Sequence, residues 1–156
     1  MENKTNVMRI LDRMKLPYKP HYYGDTDAVS GMEVALALNC DPNRLYKTLV
    51  AVGASKKYFV FMVPVNKELN LKQAAAGINE KSIEMIKSKD LLAITGYIHG
   101  GCSPIGMKKQ FITTIDANAK NHQEIFFSAG KIGYQIEMLA SDLAKAIELR
   151  YDNIAL

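Results

Sequence analysis

"YKTLVAVGASKKYFVFMVPV", Tyr46–Val65, decides the fold class. Two runs rich in Val, Leu, Phe and Tyr, Lys47–Ala54 and Lys57–Val65, flank Ser55-Lys56. Such runs joined by two residues predict a β-hairpin. Pro64 has no amide donor, so the second strand ends there or lies at a sheet edge. Lys47 opens a strand that is otherwise almost wholly apolar. Period-two alternation puts Lys47 on one face with Leu49 and Ala51, and Thr48 on the other with Val50 and Val52. A lysine aligned with core positions reaches water at the strand mouth, pairs, or works at a site.

Helical and strand patterns alternate on both sides of the hairpin. Val7, Ile10, Leu11 and Met14 recur at helical spacing over Asn6–Met14, and Pro17 ends the run. Tyr18–Tyr23 reads as a short strand. Ser30, with Glu33 three residues on, predicts a capping box for a helix through Leu38, and Asn39 suits a left-handed end. Asn70 caps a helix over Leu71–Ala76, stopped by Gly77. Ser82–Ile86 reads as a strand and Ser88–Ile94 as a helix ended by Thr95-Gly96. Phe111–Ile115, Glu124–Ser128 and Gly133–Met138 read as strands, and Ser141 is expected to cap a last helix, Asp142–Leu149. Several strands join through turns, which excludes a purely doubly wound parallel sheet. The expected fold is α/β: a mixed, largely antiparallel, barrel-like sheet with helices around it, in a single domain spanning 1–156.

Composition fits this. The chain has 156 residues, 48% apolar and 23% charged. That is long enough for a core without disulfide staples and ordinary for a globular domain. No apolar run is long enough to span a bilayer. Met1–Lys4 lacks the apolar stretch of a secretory signal, and two cysteines form no disulfide framework, so a cytoplasmic setting is expected. The net charge is +4, with the acidic excess gathered in residues 137–156. A modestly positive body suits a polyanion such as RNA, and equally a solvated lysine-rich surface.

The densest conformational punctuation lies in "ITGYIHGGCSPIGMKKQ", Ile94–Gln110. Five of the seven residues Gly100–Gly106 are Gly, Ser or Pro, and Lys108 and Lys109 follow. A tight turn between strands and a backbone cradle for an anionic or ester group are both compatible with it. A second glycine turn, Ser128-Ala129-Gly130-Lys131, pairs a hydroxyl with a lysine. His21, His99 and His122 are dispersed, and Cys40 and Cys102 form no Cys-x-x-Cys pair, so no metal and no other cofactor is expected. No Gly-x-Ser-x-Gly elbow and no phosphate-binding glycine fingerprint occurs. Nothing in the sequence activates Cys102, which reads as an inert buried thiol.

The blocks "DPNRLYKTLVAV", "NLKQAAAGI", "TGYIHGGCSPIGMKK", "IFFSAGKIG" and "DLAKAI", in this order, resemble the YbaK-type family of aminoacyl-tRNA deacylases, related to the editing insertion of bacterial prolyl-tRNA synthetases. The resemblance runs from the first helix to the last and is nearest to the free-standing Cys-tRNA(Pro) deacylases. It implies trans-editing: cleavage of the ester joining a mischarged amino acid to the tRNA 3′ acceptor end. It places the family's lysine on Lys47, its glycine pair on Gly100 and Gly101, and these three as the catalytic set. It places substrate-binding positions on Tyr23, Ser30, Thr48, Ser103, Ser128 and Lys131. Ile132 stands where the family often has arginine, and Ser30 where some members have an aromatic side chain. The implied mechanism uses no metal and no protein nucleophile. The substrate cysteine's thiol attacks its own ester, a step favoured by proximity. An Ala-tRNA(Pro)-type deacylase using water, and a non-catalytic tRNA- or nucleotide-binding module, are the rival readings. The implied partners are aminoacyl-tRNA and prolyl-tRNA synthetase, with no membrane; the sequence leaves the oligomeric state open.

Overall fold

The computed structural model describes residues 4–156. The hairpin forms, but around a wider turn than the two residues expected: β2 (Tyr46–Gly53) pairs antiparallel with β3 (Tyr58–Pro64), and Gly53 N donates to Lys57 O across Ala54-Ser55-Lys56, where Lys56 takes a positive φ of 74. β3 is a central strand, so Pro64 marks its end and not a sheet edge. Four pairings are antiparallel; β3 runs parallel to β5 (Thr113–Asp116), and β5 to β8 (Leu149–Asp152). The sheet is therefore mixed and largely antiparallel.

It is not a closed barrel. The strands form two sheets: β1 (Lys19–Tyr22), β7 (Tyr134–Leu139) and β6 (Glu124–Ser128), then β4 (Ile83–Met85), β2, β3, β5 (Thr113–Asp116) and β8 (Leu149–Asp152). One isolated bridge, Leu45 to Phe126, joins them. Closure fails because β2 divides its outer edge. Its far half, Ala51–Gly53, pairs with β4, while its near end meets β6 only through that bridge. Tyr46–Leu49 have no strand partner on this edge.

Local chemistry sets the helices. Thr5 Oγ1 accepts from Met8 N at the start of α1 (Asn6–Met14), whose Val7 and Leu11 are fully buried. Burying one such side chain contributes about 1.5–3 kcal/mol. The capping box of α2 (Gly31–Ala37) is complete: Ser30 Oγ accepts from Glu33 N at 3.2 Å, and Glu33 Oε1 accepts from Ser30 N at 2.9 Å. Asn39 has φ 54, the left-handed end expected. α3 (Leu71–Gly77) covers one face of the larger sheet over Phe59, Phe61 and Val63. The other face packs Tyr46, Met62 and Ile115 against α1, the smaller sheet and α5 (Ala140–Ala146). α4 (Ser88–Thr95) buries Leu91 against Val50, Val60, Cys102 and Met107.

The last helix departs from the sequence reading. It begins at Ala140, inside it stands Ser141, and no side chain caps it. It stops at Ala146, because Ile147 turns into the core and Leu149–Asp152 add an edge strand beside β5.

Candidate functional site

The gap in the edge of β2 is the floor of a cavity of about 330 Å³. Tyr46, Lys47, Thr48 and Leu49 border it from the larger sheet; Ser128 and Gln135 border it from the smaller one. Tyr23, Ser30 and Val34 close the α2 side, and Leu91, His99, Gly100 and Cys102 the α4 side. Backbone register adds polar groups. Val65 N donates to Leu45 O and Gly53 N to Lys57 O, so odd positions of β2 exchange hydrogen bonds with β3. The N–H and C=O of Thr48 therefore point the other way, toward the gap.

Among the described residues, two that border this cavity carry a buried side-chain oxygen without a hydrogen-bond partner, Thr48 Oγ1 and Gln135 Oε1. Native proteins satisfy nearly all such atoms, so this pair is left for water or a bound ligand to complete. The remaining such atom among the described residues, Thr114 Oγ1, does not border the cavity. Ser128 Oγ accepts from Gly130 N at 3.1 Å, which leaves its proton free to donate. Lys47 Nζ is 3.4 Å from Glu68 Oε2, but Glu68 is 82% exposed, so this pair holds the ammonium only weakly. Among the described residues, no carboxylate borders the cavity.

The glycine-rich segment builds the α4-side wall. Gly100 has φ +89, a left-handed conformation that favours glycine. A Cβ on Gly101 would stand 3.2 Å from Ile132 N, so the two glycine turns pack backbone to backbone. Tyr97 locks the segment by donating from its hydroxyl to Ile105 O. Cys102 borders the cavity, but burial pushes its thiol up to about 12.

Of the residues singled out from the sequence, Tyr23, Ser30, Lys47, Thr48, Gly100 and Ser128 come together on the cavity wall. Gly101, Ser103 and Lys131 do not border it. Gly101 N donates to Ile98 O at 3.0 Å. Ser103 is fully buried, and its Oγ accepts from Ile105 N. Lys131 Nζ sits 5.5 Å from the centre of the Tyr134 ring. The sequence reading missed Gln135, His99 and Leu91. Gln135 lies in a strand of alternating pattern, where a polar residue reads as solvent-facing; its partnerless burial is visible only in three dimensions. Among the described residues, no group of three or more His, Cys, Asp and Glu is placed to hold a metal ion. Among the described residues, no helix is long and apolar enough to cross a membrane.

The chain is similar to known proteins along most of its length. The sequence profile of the aminoacyl-tRNA editing domain matches residues 26–146. A curated protein of Enterococcus faecalis, "Putative Cys-tRNA(Pro)/Cys-tRNA(Cys) deacylase EbsC", is 46% identical over 138 residues, covering 88% of this chain and 84% of that protein. Among solved structures, the hypothetical protein APE2540 superposes with a TM-score of 0.88 at 15% identity, covering 97% of this chain and all of the other. The structure of "a putative trans-editing enzyme for prolyl tRNA synthetase" superposes with a TM-score of 0.82 at 17% identity, covering 97% and 98%. At these identities the structures speak for the fold alone, whereas the profile and the curated relative speak for descent: the chain belongs to the aminoacyl-tRNA editing domain family.

Proposed function

We propose that this protein is a trans-editing deacylase that cleaves the ester between a mischarged amino acid and the tRNA 3′ end, with Cys-tRNA(Pro) as its substrate. One observation carries the reading: Lys47, Thr48, Gly100 and Ser128 meet at a single cavity whose buried acceptors lack partners. The name of the Enterococcus relative supports the choice of substrate. A deacylase of charged tRNA would act in the cytoplasm, and prolyl-tRNA synthetase is the partner that would supply tRNA selection.

The chemistry follows from what the wall offers. With the Cys102 thiol pushed up to about 12, almost none is ionised at neutral pH, so it is a poor nucleophile. The substrate's own cysteine carries a thiol with an ordinary pKa of about 8.5. Its sulfur attacks the ester carbonyl carbon, the carbon–oxygen bond to the ribose breaks, and the ribose oxygen gains the proton the thiol loses. The products are a cyclic thiolactone and free tRNA. The cavity holds this geometry: Lys47 offsets the negative charge that develops on the carbonyl oxygen, and the Gly100 backbone orients the ester.

The test compares Cys-tRNA, Ser-tRNA and thiol-blocked Cys-tRNA on one tRNA body. Only the first should be cleaved quickly, since the serine hydroxyl is scarcely ionised. Equal rates for all three would replace self-attack by an activated water and move the substrate to alanine or another small amino acid. Binding without turnover on any aminoacyl-tRNA would make the protein a binding module.

A further inference from the structure

The cavity does not end at its α4 wall. Thr48, Leu49, Leu91 and His99 also border a second hollow of about 220 Å³. That hollow shares Met85 and Ile86 with a third, of about 520 Å³, along β4 and α4. The three form one trough from the partnerless Gln135 to the outer surface.

The two rims of the cavity carry opposite charge. Residues 24–43, the α2 rim, hold four carboxylates (Asp25, Asp27, Glu33, Asp41) and no Lys or Arg. Residues 81–109, the α4 rim, hold five lysines (Lys81, Lys87, Lys89, Lys108, Lys109) against Glu84 and Asp90. Lys87 and Lys89 are exposed and border the outer hollow, as do Glu84 and Asp90; the two lysines belong to none of the ion pairs among the described residues. Lys108 Nζ lies 3.5 Å from the carbonyl oxygen of Ala93, which borders the same hollow, though Lys108 itself does not. The floor of the hollow includes Tyr58, whose ring is half-buried and propped edge-on by Phe111 at 5.8 Å. Lysines beside an apolar, partly aromatic floor are the elements of a single-strand nucleic-acid track: the cations take the phosphates and the floor takes base faces.

We propose that the single-stranded 3′ end of the RNA substrate leaves the cavity over the α4 rim, with Lys87, Lys89 and Lys108 along its phosphates and Tyr58 and Met85 beneath its bases. The identity of the occupant rests on the deacylase reading; the direction of the track rests on the trough and the charges. A strand leaving over the α2 rim would run its phosphates past four carboxylates, and the field there opposes it.

The probe is a fluorescent, unacylated single-stranded RNA ending in CCA, with binding read by anisotropy across a salt series. Lys87→Glu/Lys89→Glu should weaken binding by at least ~10-fold near ~0.1 M salt. It should also flatten the dependence of log K on log salt by about 0.7 for each phosphate that is no longer neutralised. Asp25→Asn/Asp27→Asn is the control on the opposite rim and should change affinity much less. Unchanged affinity in the lysine variant overturns the track. So does an α2-rim effect as large and opposite in sign, because net charge alone would then govern binding. Hydrolysis of Cys-tRNA is measured separately: a protein that binds the RNA through Lys87 and Lys89 but cleaves no aminoacyl-tRNA loses the deacylase reading and keeps the track.

Discussion

Thr48 and Gln135 lie in different sheets, yet Thr48 Oγ1 and Gln135 Oε1 are both buried without a hydrogen-bond partner, and both residues border one cavity. A domain that folds with two such atoms at one cavity gives up stability there. The same atoms are acceptors waiting for a donor, and an aminoacyl group carries one in its amine.

This relationship predicts opposite effects on stability and activity. Thr48→Val keeps the shape and removes the unsatisfied hydroxyl. Leaving a buried polar group unpaired costs roughly 1–3 kcal/mol, so the variant should melt at the wild-type temperature or above it. Deacylation of Cys-tRNA should fall. Calorimetry and single-turnover rates check both; a lower melting temperature with full activity would make Thr48 a structural residue.

Lys47 should behave as a site residue and not as a strut. Lys47→Ala should lower deacylation at least ~10-fold, about 1.4 kcal/mol of transition-state stabilisation. Its pair with the exposed Glu68 contributes at most about 1 kcal/mol, so the melting temperature should scarcely move. Glu68→Gln is the matching control and should leave the rate within a few fold. Unaltered turnover in Lys47→Ala would remove it from the site.

Cys102 borders the cavity as a wall. Cys102→Ser should keep most activity, because the attacking sulfur belongs to the substrate. With its thiol pushed up to about 12 by burial, alkylation by iodoacetamide at pH 7 should also be slow. Loss of activity with an intact fold, or a trapped acyl-enzyme, would point to covalent catalysis by the protein.

Glu137 predicts a pH window for stability. Burial raises its pKa, but the His21 hydrogen bond at 2.9 Å and the charges of Lys19, His21 and Arg44 outweigh burial and hold it below the usual 4.5. A depressed carboxylate contributes stability that is fully present above the unfolded value and is lost as pH falls through the folded one. The gap in unfolding free energy between wild type and Glu137→Gln should therefore be widest near neutrality. It should narrow as the pH drops below about 4.5. Denaturant titrations at pH 7 and pH 3.5 measure it; an equal gap at both would show that Glu137 adds nothing through its charge.

By itself the sequence determined the parts. Two apolar runs close together marked the β2–β3 hairpin, though its turn is one residue wider than the sequence suggested, and Ser30 with Glu33 set the start of α2, because these signals act between neighbours a few residues apart. The family motifs marked Lys47, Thr48, Gly100 and Ser128, which the fold gathers around one cavity. The tertiary structure alone decided how strands far apart in the chain share edges. β2 gives half its edge to β4 and keeps Tyr46–Leu49 open, and that division, invisible to any local pattern, both prevents a closed barrel and opens the cavity. The same long-range pairing pulled Leu149–Asp152 out of the expected last helix and into an edge strand, since docking beside β5 satisfies backbone groups that a longer helix would have kept for itself. Gln135 was unreadable for this reason too: alternation says which face it takes, and only the packing of two sheets says that nothing meets it there.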